Sequence, residues 1–306
     1  MSSKISVLFT VYNESSEILS AAIESILAQT YKNFELIIVL DNPENHKASQ
    51  LISFFQNMDE RIIKIVNEKN MGLVKSLNVA FEHATGEYIA RMDADDISHS
   101  ERFEKQKKYL EENNIDFLGT WAKIFSDSGE MGYYKKPASK RGNYFYLRYG
   151  CGSSLIHPTW FFKREVFESL EGYNEVPAAE DYDFLLRALN HGFDIQNLNE
   201  YLLAVRIRED GISKSQAFNQ FVSSQFCKKK ITQNKAITYD ECRAKLLKYE
   251  HQIVKSKVNI SKIRSHKEHK QYGFMVLSVF KMFLQSPLFF MNKIKNQITL
   301  SIANLL

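Results

Sequence analysis

The amino-acid sequence predicts an α/β fold in which a mainly parallel sheet is flanked by helices. Over the first hundred residues, short apolar segments rich in β-branched residues alternate with amphipathic segments of helical periodicity. Strands that alternate with helices favour right-handed crossovers and a parallel sheet. Ligands of such sheets bind beyond the carboxyl ends of the strands. We therefore expect the functional residues along that edge.

The first four strands and their connecting helices are predicted in order. Ile5–Thr10 is an apolar run typical of a buried strand, and Asn13 or Ser15 can cap the helix that follows. That helix carries an apolar stripe from Leu19 to Leu27. The remaining elements are a strand at Phe34–Leu40, a helix at Ala48–Phe55, a strand at Arg61–Val66, a helix at Leu73–Ala84 closed by Gly86, and a strand at Glu87–Met92.

The regular alternation ends near residue 100. The sequence then predicts a charged helix at 101–112 and a strand within "DFLGTWAKIF". Residues 127–150, rich in Gly, Lys and Tyr, indicate loops and short strands. The stretch "PTWFFKREVFESLEGY" indicates a strand passing into a helix, and a further helix follows Pro177 and stops at Gly192.

Charge divides the chain near residue 210. Residues 1–210 contain 23 Lys and Arg against 32 Asp and Glu, whereas residues 211–306 contain 17 against 4. A change of this size indicates parts with different partners. We therefore predict a catalytic domain over 1–210 and a helical, basic, amphipathic extension over 211–306.

Cysteine usage and the first residues predict a cytoplasmic protein. Cys151, Cys227 and Cys242 are odd in number, far apart and without a CxxC pair. This pattern disfavours a disulfide framework and a structural zinc site. The stretch "MSSKISVLFTVYNES" lacks the pattern of a signal peptide.

The basic extension predicts contact with the inner face of the cell membrane. Residues 272–297 are apolar with scattered lysines, but Lys281 and Pro287 interrupt them, which makes a transmembrane helix a poor fit. Basic residues beside Phe, Met and Leu are typical of a segment lying in an anionic membrane interface. The alternative is a helical pair packed on the catalytic domain or on a second subunit. Nucleic acid fits less well, because the aromatic residues lie apart from the densest lysine runs.

Polar or glycine-containing segments follow the four predicted strands. They are Thr10 to Asn13, Asp41, Asn67 to Gly72, and Asp93 to Asp96. The last segment places three carboxylates within four positions, which suits Mg²⁺ or Mn²⁺ shared with substrate phosphates. The alternative is a helix cap. No GxGxxG or GxxxxGK[ST] motif follows the first strand, which disfavours a dinucleotide or P-loop site.

Five residues have both a structural and a functional interpretation. Asp41 either forms a turn before Asn-Pro or accepts an N–H of a base such as uracil. Glu180 and Asp181 either favour a helix dipole or include a general base. His157 and Trp160 either lie in the core or line an acceptor pocket, with Trp160 as a stacking surface for a sugar.

Five stretches together resemble the family 2 glycosyltransferases with the GT-A nucleotide-sugar-binding fold, whose sheet is Rossmann-like. They are "SVLFTVYNES", "FELIIVLDNP", "NEKNMGLVKSLNVAFEHATGEYIARMDADD", "HPTWFFKREVF" and "EDYDFLLRALNHG". The likeness is greatest to bacterial enzymes of capsule, exopolysaccharide and O-antigen assembly, including the amylovoran type. The resemblance implies an inverting transfer of a sugar from a nucleotide donor, expected to be a UDP-sugar, to a hydroxyl of a saccharide or lipid-linked acceptor, with Mn²⁺ or Mg²⁺.

The resemblance also implies a role for each matching residue. Asp181 would be the base with Glu180 in support, Asp95 and Asp93 would hold the metal, and Asp93 would also contact the ribose or sugar. Arg206 matches an arginine often followed two places later by histidine, but Arg208 stands at that place and suits a diphosphate instead. Residues implied to bind the nucleotide or donor are Thr10, Val11, Tyr12, Asn13, Glu14, Asp41, Asn70, Gly72, Lys75, Asp93, Ala94 and Arg208.

Two other functions are weighed against this one. A nucleotidyltransferase also uses carboxylates and a cation, but the glycine-rich basic loop expected after its first strand is missing. A catalytically inactive nucleotide-sugar-binding scaffold of a polysaccharide assembly complex is the alternative outside enzymes. Asp95 and Asp181 count against it.

Overall fold

The computed structural model describes residues 3–150, 152–207, 217–233, 235, 237–249 and 287–306, with isolated positions at 262, 265, 269, 271, 274, 278 and 279. The strands are β1 Ile5–Val11, β2 Phe34–Leu40, β3 Ile62–Val66, β4 Tyr88–Asp93, β5 Ile97–Ser98, β6 Phe117–Ser126, β7 Gly129–Tyr134, β8 Phe161–Lys163 and β9 Ile195–Arg206. The helices are α1 Ser16–Leu27, α2 His46–Met58, α3 Leu73–Glu82, α4 Arg102–Glu112, α5 Lys140–Tyr149, α6 Arg164–Ser169, α7 Glu180–Asn190, α8 Ala217–Thr232, α9 Tyr239–Lys248 and α10 Pro287–Ala303.

The first half of the chain confirms the α/β prediction. β1 to β4 form a parallel sheet in the order β3-β2-β1-β4, and α1, α2 and α3 connect them in turn. All seven residues of β2 are buried, as expected of a parallel strand covered by helices on both faces. Ser15 caps α1 by accepting a hydrogen bond from the Ile18 amide, as one of the two predicted caps.

The second half turns the sheet into a mixed one. β8 runs antiparallel to both β4 and β6, β9 runs parallel to β6 and antiparallel to β5, and β7 pairs antiparallel with β6. The sheet order is therefore β3-β2-β1-β4-β8-β6-β9-β5, with β7 outside this path. Parallel pairing therefore joins the first four strands to one another and β9 to β6, while the other pairs of the sheet are antiparallel.

One helix lies where the sequence indicates loops and short strands. α5 is rich in Tyr and Phe, which have low helix propensity, so its pattern does not indicate a helix. Ser139 caps it by accepting from the Gly142 amide, and Tyr146 and Leu147 bury one face. Tertiary packing overrides the local preference here.

The described helices of the basic extension pack on the catalytic part of the chain. Cys227 and Ile231 of α8 and Cys242 of α9 belong to the same apolar core as Phe184 of α7. α10 lies on α5, and a Cβ at Gly142 would come within 2.3 Å of the Ala303 carbonyl oxygen. These parts match the alternative of helices packed on the catalytic domain. Most of 250–286 lies outside the described residues.

The structure contains, within its described residues, no helix that is both long and apolar enough to cross a membrane. The segment 272–297, for which membrane contact is expected, is described only at 274, 278, 279 and from 287 onward. Its second half forms the beginning of α10.

We predict that Gly142→Ala separates α10 from α5. Alanine favours a helix more than glycine, but its methyl group would collide with the Ala303 carbonyl, and overpacking costs about 1–3 kcal/mol. A lower Tm and faster proteolysis within 287–306 are the expected results. Arg141→Ala, at an exposed neighbouring position of α5, is the control and should change neither measurement. A more stable Gly142→Ala variant would contradict the contact.

Candidate active site

Asp41 connects the end of β2 to the segment that follows β3. Its carboxylate is buried and accepts hydrogen bonds from the Asn67 side chain at 2.7 Å, the Met71 amide at 2.7 Å and the Gly72 amide at 2.8 Å. Gly72 adopts a φ of +85°, which glycine tolerates at no steric cost. The loop before α3 is thus held against the end of β2. A carboxylate offers about four lone-pair sites, so these three donors leave one site, on Oδ2, for an N–H of a base.

The turn after β1 is tied to the same edge. The Tyr12 amide donates to the Glu14 carboxylate at 2.8 Å, and the Asn42 side chain donates to the side-chain oxygen of Asn13 at 2.6 Å. The Asn45 side chain donates to the Tyr12 carbonyl, while the Tyr12 ring stays half-exposed. The turn is therefore fixed in place while the Tyr12 side chain remains accessible to a ligand.

The remaining nucleotide-binding candidates lie along this edge in different environments. Thr10 pairs in register with Asp93 of β4, as expected of neighbouring strand ends. Val11 and Ala94 are buried, so only their backbone could reach a ligand. Lys75 forms a half-exposed ion pair with Glu175 at 3.3 Å. The Asn70 side chain accepts a hydrogen bond from the Gly72 amide. Arg208 lies outside the described residues.

The three aspartates after β4 lie in different environments. Both oxygens of Asp93 are paired with the buried Arg91 guanidinium, at 2.8 and 2.5 Å. Asp96 is buried, and one of its oxygens accepts from the Arg206 amide at 2.9 Å. Burial, with the charges of Asp93 and Asp95, raises the pKa of Asp96 well above its ordinary value. The pairing of Asp93 with Arg91 reduces the repulsion within the cluster, and the raised pKa of Asp96 favours its neutral form.

The residues at this edge fit a cation shared with a donor. Among the described residues no group of three or more His, Cys, Asp or Glu side chains could hold a metal ion. Mg²⁺ is usually bound by one or two carboxylates together with substrate phosphates, so fewer protein ligands suffice. Asp93 and Asp95 are both partly exposed, so either could reach a cation that a donor diphosphate also binds.

Glu180 and Asp181 open helix α7 and face the same cleft. Burial, followed by the negative charge of Asp181, raises the pKa of Glu180 to about 7, and the charge of Asp93 acts in the same direction. Burial also raises the pKa of Asp181, against hydrogen bonding by the Tyr182 amide and the positive charges of Lys136 and Arg91. Because Arg91 is paired with Asp93 and also acts on both acids of α7, the structure brings the acid cluster and α7 together.

His157 and Trp160 do not form an acceptor surface together. Trp160 is completely buried, with its ring edge-on to Phe117 at 4.8 Å, so the prediction that it stacks on a sugar is wrong. The aromatic residues next to Trp160 in the sequence do not indicate whether its ring is buried or exposed. The His157 ring nitrogen Nε2 is 2.8 Å from the Tyr173 hydroxyl. Burial and the charge of Arg91 hold the pKa of His157 well below its ordinary value, so it is neutral.

Sequence reasoning missed three residues of this cleft. Arg91 lies in an apolar strand, and that unusual position is a signal that could have revealed it. Tyr173 is buried beside Arg91 and the acids of α7. Lys136 lies in a loop after β7, where nothing in the sequence distinguishes it from the adjacent Lys135.

Comparison with known proteins identifies the family. The profile described as "Glycosyl transferase family 2" matches residues 6–171. The chain belongs to this family. It is 38% identical to an uncharacterised glycosyltransferase of Methanocaldococcus jannaschii, over 66% of this chain and 70% of the relative. It is 33% identical to the O-antigen biosynthesis glycosyltransferase WbnJ of Escherichia coli, over 78% and 96%.

Solved structures show the same fold. Residues 1–349 of S. aureus TarS in complex with UDP match with a TM-score of 0.59 and 18% identity, covering 98% of this chain and 90% of that one. A mannosyltransferase of Pyrobaculum calidifontis, solved with GDP-Man and Mn²⁺, matches with a TM-score of 0.58 and 15% identity, covering 98% and 86%. The family 2 chain therefore has the GT-A fold that the resemblance implies.

We predict that Glu180→Gln stabilises the protein at pH 8 but not at pH 4.5. The folded protein keeps this proton to a pKa of about 7, against an ordinary value of 4.5, so wild type loses stability as the pH rises between these values. The glutamine variant avoids this loss, with a gain of about 1 kcal/mol after screening by water. Thermal unfolding across this pH range measures it.

Glu165→Gln is the control for this prediction. Glu165 is an exposed acid in the first turn of α6, as Glu180 is in the first turn of α7. Its replacement should leave the pH dependence of Tm unchanged. Parallel pH profiles for Glu180→Gln and wild type would contradict the raised pKa.

Proposed function

We propose that this family 2 enzyme is an inverting glycosyltransferase of bacterial surface polysaccharide synthesis that uses a UDP-sugar. The observation that carries the proposal is the common cleft of Asp93, Glu180 and Asp181, joined by Arg91. TarS, solved with UDP, and WbnJ, named for O-antigen biosynthesis, support the donor and the pathway class. The acceptor would be a saccharide or a lipid-linked saccharide.

Asp181 is the proposed base. It takes the proton of an acceptor hydroxyl while that oxygen forms a bond to the anomeric carbon. The bond from this carbon to the diphosphate breaks on the opposite face, the nucleoside diphosphate leaves with the electron pair, and the configuration inverts. A divalent cation bound at Asp95 with the diphosphate would offset negative charge on the leaving group. The Mn²⁺ complex of the related mannosyltransferase supports such an ion.

Asp183, two residues after Asp181 in α7, has a structural role. Its carboxylate is completely buried and accepts from Arg187 at 2.8 Å and from Asn174 at 3.0 Å. Asp181 instead is partly exposed, and its Oδ1 accepts from the Tyr182 amide at 2.7 Å. The helix therefore offers one acid to the cleft and uses another to hold the fold.

We predict that Asp181→Asn lowers kcat by about 10²- to 10⁴-fold, the usual contribution of a general base, with UDP affinity unchanged. Sugar transfer or slow donor hydrolysis with Mn²⁺ measures the rate, calorimetry measures UDP binding, and NMR of the product gives the anomeric configuration. Asp183→Asn is the matched control, and we expect its main effect to be a lower Tm and not a lower kcat. Equal rates for Asp181→Asn and wild type would remove the catalytic assignment.

We further propose that α10 binds an anionic membrane surface. Met291, Ile294, Ile298 and Ile302 follow one another at helical spacing and are 40 to 56% exposed. The neighbouring face of the helix, with Thr299 and Ala303, is buried toward α5. The charge balance of +13 over 211–306 attracts anionic lipid and disfavours a second copy, which would bring the same charge. The protein would then be cytoplasmic and peripheral.

We predict that the double variant Ile294→Asp, Ile298→Asp loses co-sedimentation with vesicles of phosphatidylglycerol and phosphatidylcholine. Wild type should bind these vesicles, and bind pure phosphatidylcholine at least tenfold more weakly. Phe54→Asp on α2, at a residue 57% exposed, is the control that keeps binding. Analytical ultracentrifugation tests the alternative, in which a second copy of the chain covers this face of α10. A wild-type protein that is dimeric and a double variant that is monomeric would identify the second copy as the occupant.

A further inference from the structure

Three aromatic residues lie together on one face of the second half of the sheet. Trp121 of β6 pairs in register with Tyr201 of β9, and Tyr133 lies on the adjacent strand β7. The centroid of the Tyr201 ring is 5.5 Å from that of Trp121 and 4.9 Å from that of Tyr133. Tyr133 is 56% exposed, and the other two side chains are partly exposed. We call these three residues the aromatic cluster.

The aromatic cluster is held in place by the strands that carry it. The Trp121 indole N–H donates to the Lys136 carbonyl at 3.0 Å, which holds the ring in one orientation. The pairing of β6 with β9 is irregular on both sides of Trp121. Such bulges re-aim side chains and are over-represented next to active sites. The three rings therefore form a prearranged surface on a rigid support.

Two exposed lysines lie beside the aromatic cluster. Lys123 is opposite Tyr133 in the β6–β7 pair, so both side chains lie on the same face of the sheet. The Lys135 ammonium lies 4.9 Å from the centroid of the Trp121 ring. The negative face of an aromatic ring attracts the C–H groups of a sugar ring, and ammonium groups attract carboxylates. This combination suits an acidic saccharide, which carries carboxylates on its rings.

Arg206 joins the β6–β7 hairpin to the acidic loop after β4. Its side chain donates through Nη1 to Asp127, in the turn of the hairpin, and through Nε to the Asp95 carbonyl at 3.2 Å. Tyr201 precedes Arg206 on the same strand, about 17 Å away along an extended chain. A short oligosaccharide can span that distance. The aromatic cluster and the expected cation site are therefore connected through one strand and one hairpin.

We propose that the aromatic cluster, with Lys123 and Lys135, is a subsite that binds an acidic saccharide as part of the acceptor. This inference rests on the proposed function, because it names the chemical class of the acceptor and the surface that holds it. The connection through Arg206 favours an acceptor over a membrane surface or a second copy of the chain, since neither of these needs to reach the acidic loop.

The test measures binding of tetragalacturonate, with maltotetraose as the neutral oligosaccharide. The chain has two tryptophans and Trp160 is completely buried, so a change in tryptophan fluorescence on binding reports Trp121. Wild type should bind maltotetraose about fivefold more weakly than tetragalacturonate. Tyr133→Ala should lower the affinity for tetragalacturonate by about tenfold, whereas Tyr133→Phe, which keeps the ring, should retain it.

Tyr134→Ala is the matched control. Tyr134 is also exposed, but it is opposite the buried Ala122, so its side chain lies on the other face of the sheet. Its replacement should leave the affinity for tetragalacturonate unchanged. Equal affinities for Tyr133→Ala and Tyr134→Ala would overturn the inference, as would equal binding of the two oligosaccharides by wild type.

Two further measurements separate the other occupants. If Tyr133→Ala lost co-sedimentation with vesicles of phosphatidylglycerol and phosphatidylcholine, the surface would bind membrane and the inference would fail. A wild-type dimer and a monomeric Tyr133→Ala variant in analytical ultracentrifugation would assign the surface to a second copy instead.

Failure of this inference can be distinguished from failure of the proposed function. Wild type that transfers or hydrolyses a UDP-sugar but shows no saturable binding of tetragalacturonate would overturn the subsite alone. Wild type that binds tetragalacturonate through Tyr133 but neither transfers nor hydrolyses a UDP-sugar would refute the proposed function, and the saccharide site would stand.

Discussion

The ion pair between Arg91 and Asp93 is the interaction on which the rest of the site depends. A guanidinium buried in a strand is costly unless a carboxylate meets it with good geometry, and Asp93 does so with both oxygens. The same positive charge acts on Asp96, on both acids of α7 and on His157. One buried arginine therefore sets the electrostatics of the acid cluster and of the candidate base together.

A second buried arginine supports the first. The Arg102 guanidinium donates to the Gln106 side chain and to the Arg91 carbonyl, and lies 3.4 Å from the Trp160 carbonyl. Burial lowers its pKa to about 9. It thus connects α4 to the place where parallel β4 meets antiparallel β8. Strand β4, at which the sheet changes from parallel to antiparallel pairing, therefore also carries Arg91 and Asp93 of the site.

The sequence allowed β1 to β4 to be predicted because apolar runs and helical stripes there are local signals; Phe34–Leu40 has the predicted bounds. It failed at α5, where tertiary packing overrides the local preference, and it gave no prediction for β9. The strand-end rule placed Thr10 beside Asp93. It could not place Asp181 there, because the chain between them includes the irregular half of the sheet, nor could it separate Lys136 from its neighbour.

The hydrogen bond from the Arg206 amide to Asp96 joins residues 110 positions apart. β9, which ends at Arg206, also lies between β6 and β5. Contacts of such sequence separation form late, because a long stretch of chain must be ordered first. During translation, the first four strands can assemble while the loop after β4 still lacks this amide donor. The ribosome must therefore release residue 206 before the acidic loop can reach its final shape.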